Sequence, residues 1–177
     1  MSELPERKHP RLKRYDYSLN ARYFITICTF QKRKMLSKIK VGRGLAPAET
    51  CLTNHGKIVE MTLSEMPSRF QYLEIENYVV MPNHIHVIMT LNAPAGASPR
   101  PTIMDIVCAF KSLSTRRCKQ VSQIEKLWQV SFHDHIIRNE HDYRSIYEYI
   151  DNNPAHRAED VYYCGDTPYF CETNLQK

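Results

Sequence analysis

Between Tyr78 and Leu91 the chain reads Tyr-Val-Val-Met-Pro-Asn-His-Ile-His-Val-Ile-Met-Thr-Leu, and this stretch constrains the fold more than any other. Val79, Val80, Val87 and Ile88 are β-branched and form near-continuous apolar runs, the pattern of central strands covered by other elements. Pro82 and Asn83 interrupt the run, which predicts two antiparallel strands meeting at a tight turn. Side chains alternate along a strand, so His84 and His86 project together at the mouth of that turn while Ile85 points to the other face. Two neutral imidazoles on one face can hold a divalent ion that takes a third ligand from elsewhere. A pair of hydrogen-bonded histidines without metal is the plainer use of the same pattern.

The flanking segments supply a sheet for these strands. Arg22–Phe30 alternates Phe24, Thr26 and Cys28 against Ile25, Ile27 and Thr29, which predicts a first strand. Thr53 is placed to cap a helix running to about Met66 and stopped by Pro67. Tyr72–Met81 reads as the second strand and His84–Leu91 as the third. Thr102 opens a second helix with Ile103, Ile106, Val107, Phe110 and Leu113 on one stripe. Leu127–Ile137 reads as the fourth strand, and Asn139 or Asp142 can cap a last helix that stops at Pro154. Val41–Thr50, with Gly42, Gly44 and Pro47, reads as a loop, and Asn92–Pro101 as a short linker.

This order, β-α-β-β-α-β plus a terminal helix, is that of an α+β, ferredoxin-like (split βαβ) fold: an antiparallel sheet with helices on one face, and a C-terminal helix added. The expected organisation is a basic flexible arm over residues 1–15, a single domain over 16–157 and a tail over 158–177.

Charge limits the partners without naming one. Lys and Arg number 24 against 19 Asp and Glu, a net +5 that permits a polyanionic partner without requiring it. Arg11, Lys13 and Arg14 in the arm, Lys32, Arg33 and Lys34 after the first strand, and Arg116 and Arg117 late in the second helix are candidate phosphate contacts, with solvated surface as the plainer reading. The 6 cysteines show no Cys-x-x-Cys spacing, which argues against a zinc knuckle or redox pair and fits free thiols in a reducing cytoplasm. No apolar run approaches the roughly 20 residues that span a bilayer, so a soluble cytoplasmic protein with no membrane partner is expected.

The terminal helix carries the second candidate feature. At about 100° per residue, Tyr143, Ile146, Tyr147 and Ile150 form one apolar stripe, while Tyr149 and Asn153 share a direction roughly a quarter turn away. Such an i,i+4 pair can point together into a cleft, the phenol as nucleophile and the amide oxygen as a third metal ligand. Tyr147 with Asp151 has the same spacing and offers a better ligand for a hard cation, although packing is the plain role for Tyr147 in mid-stripe. His133-Asp134-His135 is a second His-x-His, read as a phosphate contact or a hydrogen-bonded pair because a charged residue sits where an apolar anchor is expected.

The segment Val79-Val-Met-Pro-Asn-His-Ile-His-Val-Ile88 resembles the His-hydrophobic-His motif of the single-tyrosine transposases of small insertion sequences. Trp128, His135-Ile-Ile-Arg-Asn139 and Asp142-Tyr143, followed by Tyr149-Ile-x-x-Asn-Pro154, resemble their REP-associated branch, as does Tyr15-Asp16 with Tyr23-Phe-Ile-Thr-Ile-Cys-Thr29. The likeness extends from about Tyr15 to His156. It implies that His84 and His86 bind the metal, that Tyr149 is the nucleophile, and that Asn153 completes the metal site, with Asp151 or water able to share that place. It further implies cleavage of single-stranded DNA near REP-like hairpins through a 5′-phosphotyrosine link, with Mg²⁺ or Mn²⁺ as cofactor, by a monomer or homodimer. A phenol ionises near pH 10, about three units above neutrality, so a metal that offsets developing charge at phosphorus suits this chemistry. The alternatives are a non-catalytic hairpin DNA- or RNA-binding module of the same fold, and a metal hydrolase that uses water.

Overall fold

The computed structural model describes residues 16–17, 19–40, 49–94 and 100–156. The arm with Arg11, Lys13 and Arg14, residues 41–48 of the expected loop and the tail lie outside the described residues.

In chain order the elements are β1 (Ala21–Cys28), a 3₁₀ turn (Phe30–Lys32), β2 (Ser37–Lys40), β3 (Glu49–Leu52), α1 (Asn54–Ser64), α2 (Met66–Arg69), β4 (Leu73–Val80), β5 (His84–Leu91), α3 (Ile103–Val121), β6 (His133–Ile137) and α4 (Glu140–Asn152). One sheet has the order β4-β5-β1-β6, and β2 pairs with β3 alone. Neighbours in the large sheet are antiparallel throughout. This is the expected ferredoxin-like arrangement, with β5 inserted between the first two strands of the split unit. Among the described residues no helix is long and apolar enough to cross a membrane.

Local chemistry starts the helices. The Thr53 hydroxyl accepts from the Gly56 N–H at the head of α1. Thr102 and Asp105 form a reciprocal capping box on α3. Asn139, rather than Asp142, caps α4 by accepting from the Asp142 N–H.

Three boundaries differ from the sequence reading. Pro67 sits in the first turn of a new short helix, where its missing N–H is no loss. The fourth strand is only its second half. Trp128 makes a single bridge to Thr29, and the Lys111 ammonium takes the carbonyls of Gln129 and Val130 at 2.6 and 2.8 Å. Glu49 and Thr50, read as loop, belong to β3 through pairing with Lys40 and Ile39.

Strand alternation divides the molecule. Tyr23, Ile25 and Ile27 of β1 and Ile85, Val87 and Met89 of β5 are fully buried in one core with Val59 and Leu63 of α1 and Ile106, Val107 and Phe110 of α3. Residues of opposite parity face the other way. There Ile88 and Ile137 meet Ile150 of α4 in a second, smaller cluster flanked by Phe24, Val79, Tyr143 and Ile146. Both faces of β5 are covered, and all its residues are buried.

A β-bulge helps to seat α4. The pairing of β4 with β5 shifts between Ile75 and Asn77, so Glu76 and Asn77, although adjacent, both reach the α4 side. The Asn77 amide donates to Asp151 at 2.9 Å. The Glu76 carboxylate, 11% exposed, pairs with Arg22 at 3.0 Å and accepts from the Thr90 hydroxyl and the Tyr143 phenol. Burial opposes its charge, yet these three donors hold its pKa below the ordinary value. Burial, then the hydrogen bond and charge of Glu76, push the Tyr143 phenol up to about 12.

The β4–β5 turn is tied to the head of α1. The Pro82 carbonyl accepts from the N–H groups of Met35 and Leu36 at 2.8 and 3.0 Å, and the Leu36 carbonyl accepts from the Thr53 N–H at 2.9 Å. Gly56 faces that same carbonyl, and a Cβ there would overlap the Leu36 oxygen. Gly56→Ala is expected to destabilise by about 1–3 kcal/mol from overpacking, despite a propensity gain of about 1 kcal/mol. Urea unfolding monitored by circular dichroism tests the sign.

For Glu76, whose folded pKa is depressed, the stabilisation is present above the unfolded carboxylate pKa and is lost as pH falls through the folded value. Glu76→Gln should therefore lower stability at neutral pH by about 1.5–3 kcal/mol. The gap from wild type should close on acidification below the ordinary carboxylate pKa, as read by paired melting curves. A gap independent of pH would show that charge plays no part.

Candidate active site

Parity and register bring four side chains together on the α4 side of the sheet. His84 and His86 point from β5, and the register sets Thr26 of β1 opposite His86. Both histidines are 1% exposed. Their rings lie 4.5 Å apart at 67°, and their Nε2 atoms converge to 3.1 Å. Behind them, His84 Nδ1 lies 2.8 Å from the Asn83 side-chain oxygen, and His86 Nδ1 lies 2.8 Å from the Thr26 hydroxyl. Each imidazole thus has its outer nitrogen engaged and its inner nitrogen turned to a shared point.

The helix delivers the tyrosine to that point. Its hydroxyl lies 3.3 Å from His86 Nε2. The Tyr149 ring meets the His86 ring at 5.3 Å and the edge of Phe24 at 6.1 Å, while Phe24 stacks on His86 at 5.2 Å. Tyr149 remains 38% exposed, so the site is open on the tyrosine side and closed on the histidine side.

One turn beyond Tyr149 on the same helical face, Asn153 is 2% exposed. Its side-chain oxygen is buried with no hydrogen-bond partner among the described residues. An orphan amide oxygen in a buried position costs about 1–3 kcal/mol, a cost that a ligand would offset. The described residues contain no group of three or more His, Cys, Asp or Glu able to hold a metal. Among the described residues, the buried Asn153 oxygen is an unpartnered donor atom of another type.

The other candidates are placed elsewhere. Asp151 is exposed and held by Asn77. Tyr147 is 36% exposed rather than packed; its ring lies 5.8 Å from that of Tyr143, and it lines a polar cleft with Arg22, Glu76, Thr90 and Arg138. The sequence reading put Tyr147 in the apolar stripe because helical spacing alone does not tell how far α4 leans on the sheet. His135 meets Asp142 at 2.9 Å, and that hydrogen bond holds the Asp142 carboxyl below its ordinary range. This pair fastens the head of α4 to the edge strand. His133, exposed, faces the same side opposite Thr26.

Of the basic residues, Lys32 has a left-handed φ of 52° in the turn after β1. The Arg33 guanidinium lies 5.7 Å from the centre of the Phe30 ring. Both Arg33 and Lys34 are exposed. Arg116 is exposed on α3, on the sheet face opposite the histidines, beside Lys119 and Lys126. Arg117 is committed to Glu65 at 2.6 Å and the Thr62 hydroxyl at 3.1 Å, which clamps α3 to α1. The sequence reading missed Thr26 and Asn83 as partners of the histidines. Asn83 carried a signal in its adjacency to His84; Thr26 needed the β1–β5 register.

Over 173 residues the chain is 34% identical to an uncharacterised protein of Haemophilus influenzae, covering 89% of this chain and 93% of the relative. A stretch of 82 residues, 46% of this chain and 44% of the relative, is 33% identical to the REP-associated tyrosine transposase of Escherichia coli. The fold is shared with a solved REP-associated tyrosine transposase bound to a REP hairpin, at a TM-score of 0.57 and 24% identity, covering 83% of this chain and 73% of the other. Residues 17–153, from the approach to β1 to the orphan amide at the end of α4, match the family described as "Transposase IS200 like", and the chain belongs to that family of transposases.

Proposed function

We propose that this transposase is a metal-dependent endonuclease and strand transferase acting on single-stranded DNA near hairpins, with Tyr149 as nucleophile. The observation that carries the reading is the convergence of His84 Nε2, His86 Nε2 and the Tyr149 hydroxyl, with the orphan Asn153 oxygen on the same helical face as the tyrosine.

The residues present fit a divalent ion. Two imidazole nitrogens bound to one ion at about 2.1 Å lie about 3.0–3.4 Å apart for octahedral to tetrahedral angles, and these lie 3.1 Å apart. His84 and His86 would hold Mg²⁺ or Mn²⁺, with Asn153 as the third protein donor. When bound, the ion polarises a non-bridging phosphate oxygen and offsets the charge that develops at phosphorus. In the reaction the Tyr149 oxygen forms a bond to phosphorus and the bond from phosphorus to the 3′ oxygen breaks. The phenol gives up its proton and the leaving 3′ oxygen gains one. The product is a 5′-phosphotyrosine and a free 3′-OH. Because the link keeps the ester bond count, a later 3′-OH can reverse the step and join strands.

The protein's own groups set this up. Phe24 stacks on His86 and presents its ring to the edge of Tyr149, limiting the swing of both. The solvent-facing side of Tyr149 leaves room for an extended strand. Lys32, Arg33 and Lys34 follow β1 just past the strand end where Cys28 pairs with His84, and would suit phosphate contact. A hairpin is the partner by kinship with the structure bound to one.

Labelled single-stranded DNA containing a hairpin, incubated with the protein and Mn²⁺, should give a slow band on a denaturing gel. Tyr149→Phe should abolish that band while leaving DNA binding intact. Binding without an adduct in the wild type, across a randomised hairpin pool, would leave a binding module. Cleavage surviving in Tyr149→Phe would leave a water-using hydrolase. His84→Ala or His86→Ala should weaken Mn²⁺ binding at least about tenfold, read by paramagnetic resonance of the free ion.

A further inference from the structure

The two histidines differ in what stands behind them. Asn83 is 5% exposed, and its backbone carbonyl accepts from the Thr29 N–H at 2.8 Å and the Thr29 hydroxyl at 2.9 Å. The residue is thereby pinned in the turn. Its side-chain oxygen, 2.8 Å from His84 Nδ1, can only accept. His84 must then carry its proton on Nδ1, which leaves Nε2 bare.

His86 faces a different partner. The Thr26 hydroxyl, 2.8 Å from His86 Nδ1, is 3% exposed as a residue and can either donate or accept. The bare Nε2 of His84 lies 3.1 Å from Nε2 of His86. Two nitrogen lone pairs at that distance repel, and a proton on His86 Nε2, donated to His84 with the Tyr149 hydroxyl 3.3 Å away as a second acceptor, removes the repulsion in the absence of an ion. His86 Nδ1 then accepts from the Thr26 hydroxyl. To offer Nε2 as a ligand, His86 must instead carry the proton on Nδ1, and Thr26 must turn from donor to acceptor.

We propose that Asn83 and Thr26 are positioning residues with distinct roles: Asn83 locks His84 in the ligating tautomer, and the rotatable Thr26 hydroxyl lets His86 exchange one tautomer for the other when an ion binds. The exchange conserves charge. His86 loses the Nε2 proton to water, gains one on Nδ1 from water, and is neutral before and after. Asn83 supplies a preformed ligand, and Thr26 keeps the unloaded pair free of a repelling contact. This inference rests on the reading of the pair as a metal site.

Long-range proton–nitrogen correlation spectra of protein with ¹⁵N-labelled histidine report the tautomers directly and need no turnover. Metal-free wild type should show His84 protonated on Nδ1 and His86 on Nε2. Adding Mg²⁺ should move His86 to the Nδ1 form and leave His84 unchanged. Asn83→Ala should give His84 a mixture of tautomers and weaken Mn²⁺ binding about 10–100-fold, the range expected when a partner behind a metal ligand is lost. Asn83→Asp, which keeps an acceptor at the same place, should restore the single tautomer. Thr26→Val, near in shape, should weaken Mn²⁺ binding by a similar factor, and Thr26→Ser should restore it.

Melting curves taken on each variant identify any that fail to fold, and the Asp and Ser variants carry the test in their place. His84 protonated on Nε2 in the wild type, or unchanged in a folded Asn83→Ala variant, would overturn the role of Asn83. His86 already on Nδ1 without metal would overturn the exchange. Wild type that shows the expected tautomers yet binds no Mn²⁺ would sink the metal reading and, with it, the exchange at His86.

Discussion

The parity of β5 is the constraint on which the structure depends. The strand is buried on both faces, so each of its residues is assigned either to the helical core or to the site, and nothing on it is neutral. Ile85, Val87 and Met89 belong to the core shared with α1 and α3. His84 and His86 take the alternate positions and face Thr26, Phe24 and the tyrosine helix. A slip of one residue in register would bury imidazoles among leucines and isoleucines and leave isoleucine where the polar site is needed. The large core therefore holds the geometry of the small site, and the histidines are rigid because of side chains on the other side of the sheet.

That division explains how α4 can both complete the fold and bring Tyr149 to the histidines. Its apolar contact is small, with Ile150 meeting Ile88 and Ile137. The rest of its seat is polar: Asp142 with His135 at the head, Tyr143 with Glu76 in the first turns, and Asp151 with Asn77 near the end. Polar contacts are directional, so they fix the rotation of the helix about its axis better than a greasy stripe does. That rotation decides whether Tyr149 or Tyr147 reaches the histidines. The contact of the Tyr149 hydroxyl with His86 gives the answer, while Tyr147 lines the polar cleft beside Tyr143.

What could be read from the chain was what local chemistry encodes. Thr53, Thr102 and Asn139 announce helix starts because their side chains bond backbone within three residues. The β4–β5 hairpin was legible because Pro82 and Asn83 break an apolar run, and His84 with His86 because alternation needs no partner. Helical spacing put Tyr149 and Asn153 on one face but offered Tyr147 with Asp151 at the same spacing. The β2–β3 hairpin was not legible, since Ser-Lys-Ile-Lys and Glu-Thr-Cys-Leu gain their strand character only from each other. The Thr26 contact depended on register, and the joint facing of Glu76 and Asn77 on a bulge that no period-two pattern can display. Arg117 looked like a phosphate contact beside Arg116, and only the approach of α1 made it a clamp on Glu65.

The bulge in β4 also bears on how such a chain can change over generations. Ile75 and Tyr78 keep their places on the core side, while Glu76 and Asn77 occupy the irregularity between the pairings of Ile75 and Asn77. Loss of one residue there would restore regular pleating and remove an anchor of the tyrosine helix, yet leave the packed interior with its full complement of side chains. A lineage could thus lose the seating of that helix by a single in-frame deletion and retain a folded sheet able to evolve as a scaffold. In this architecture the heritable unit of activity is separable from the heritable unit of stability.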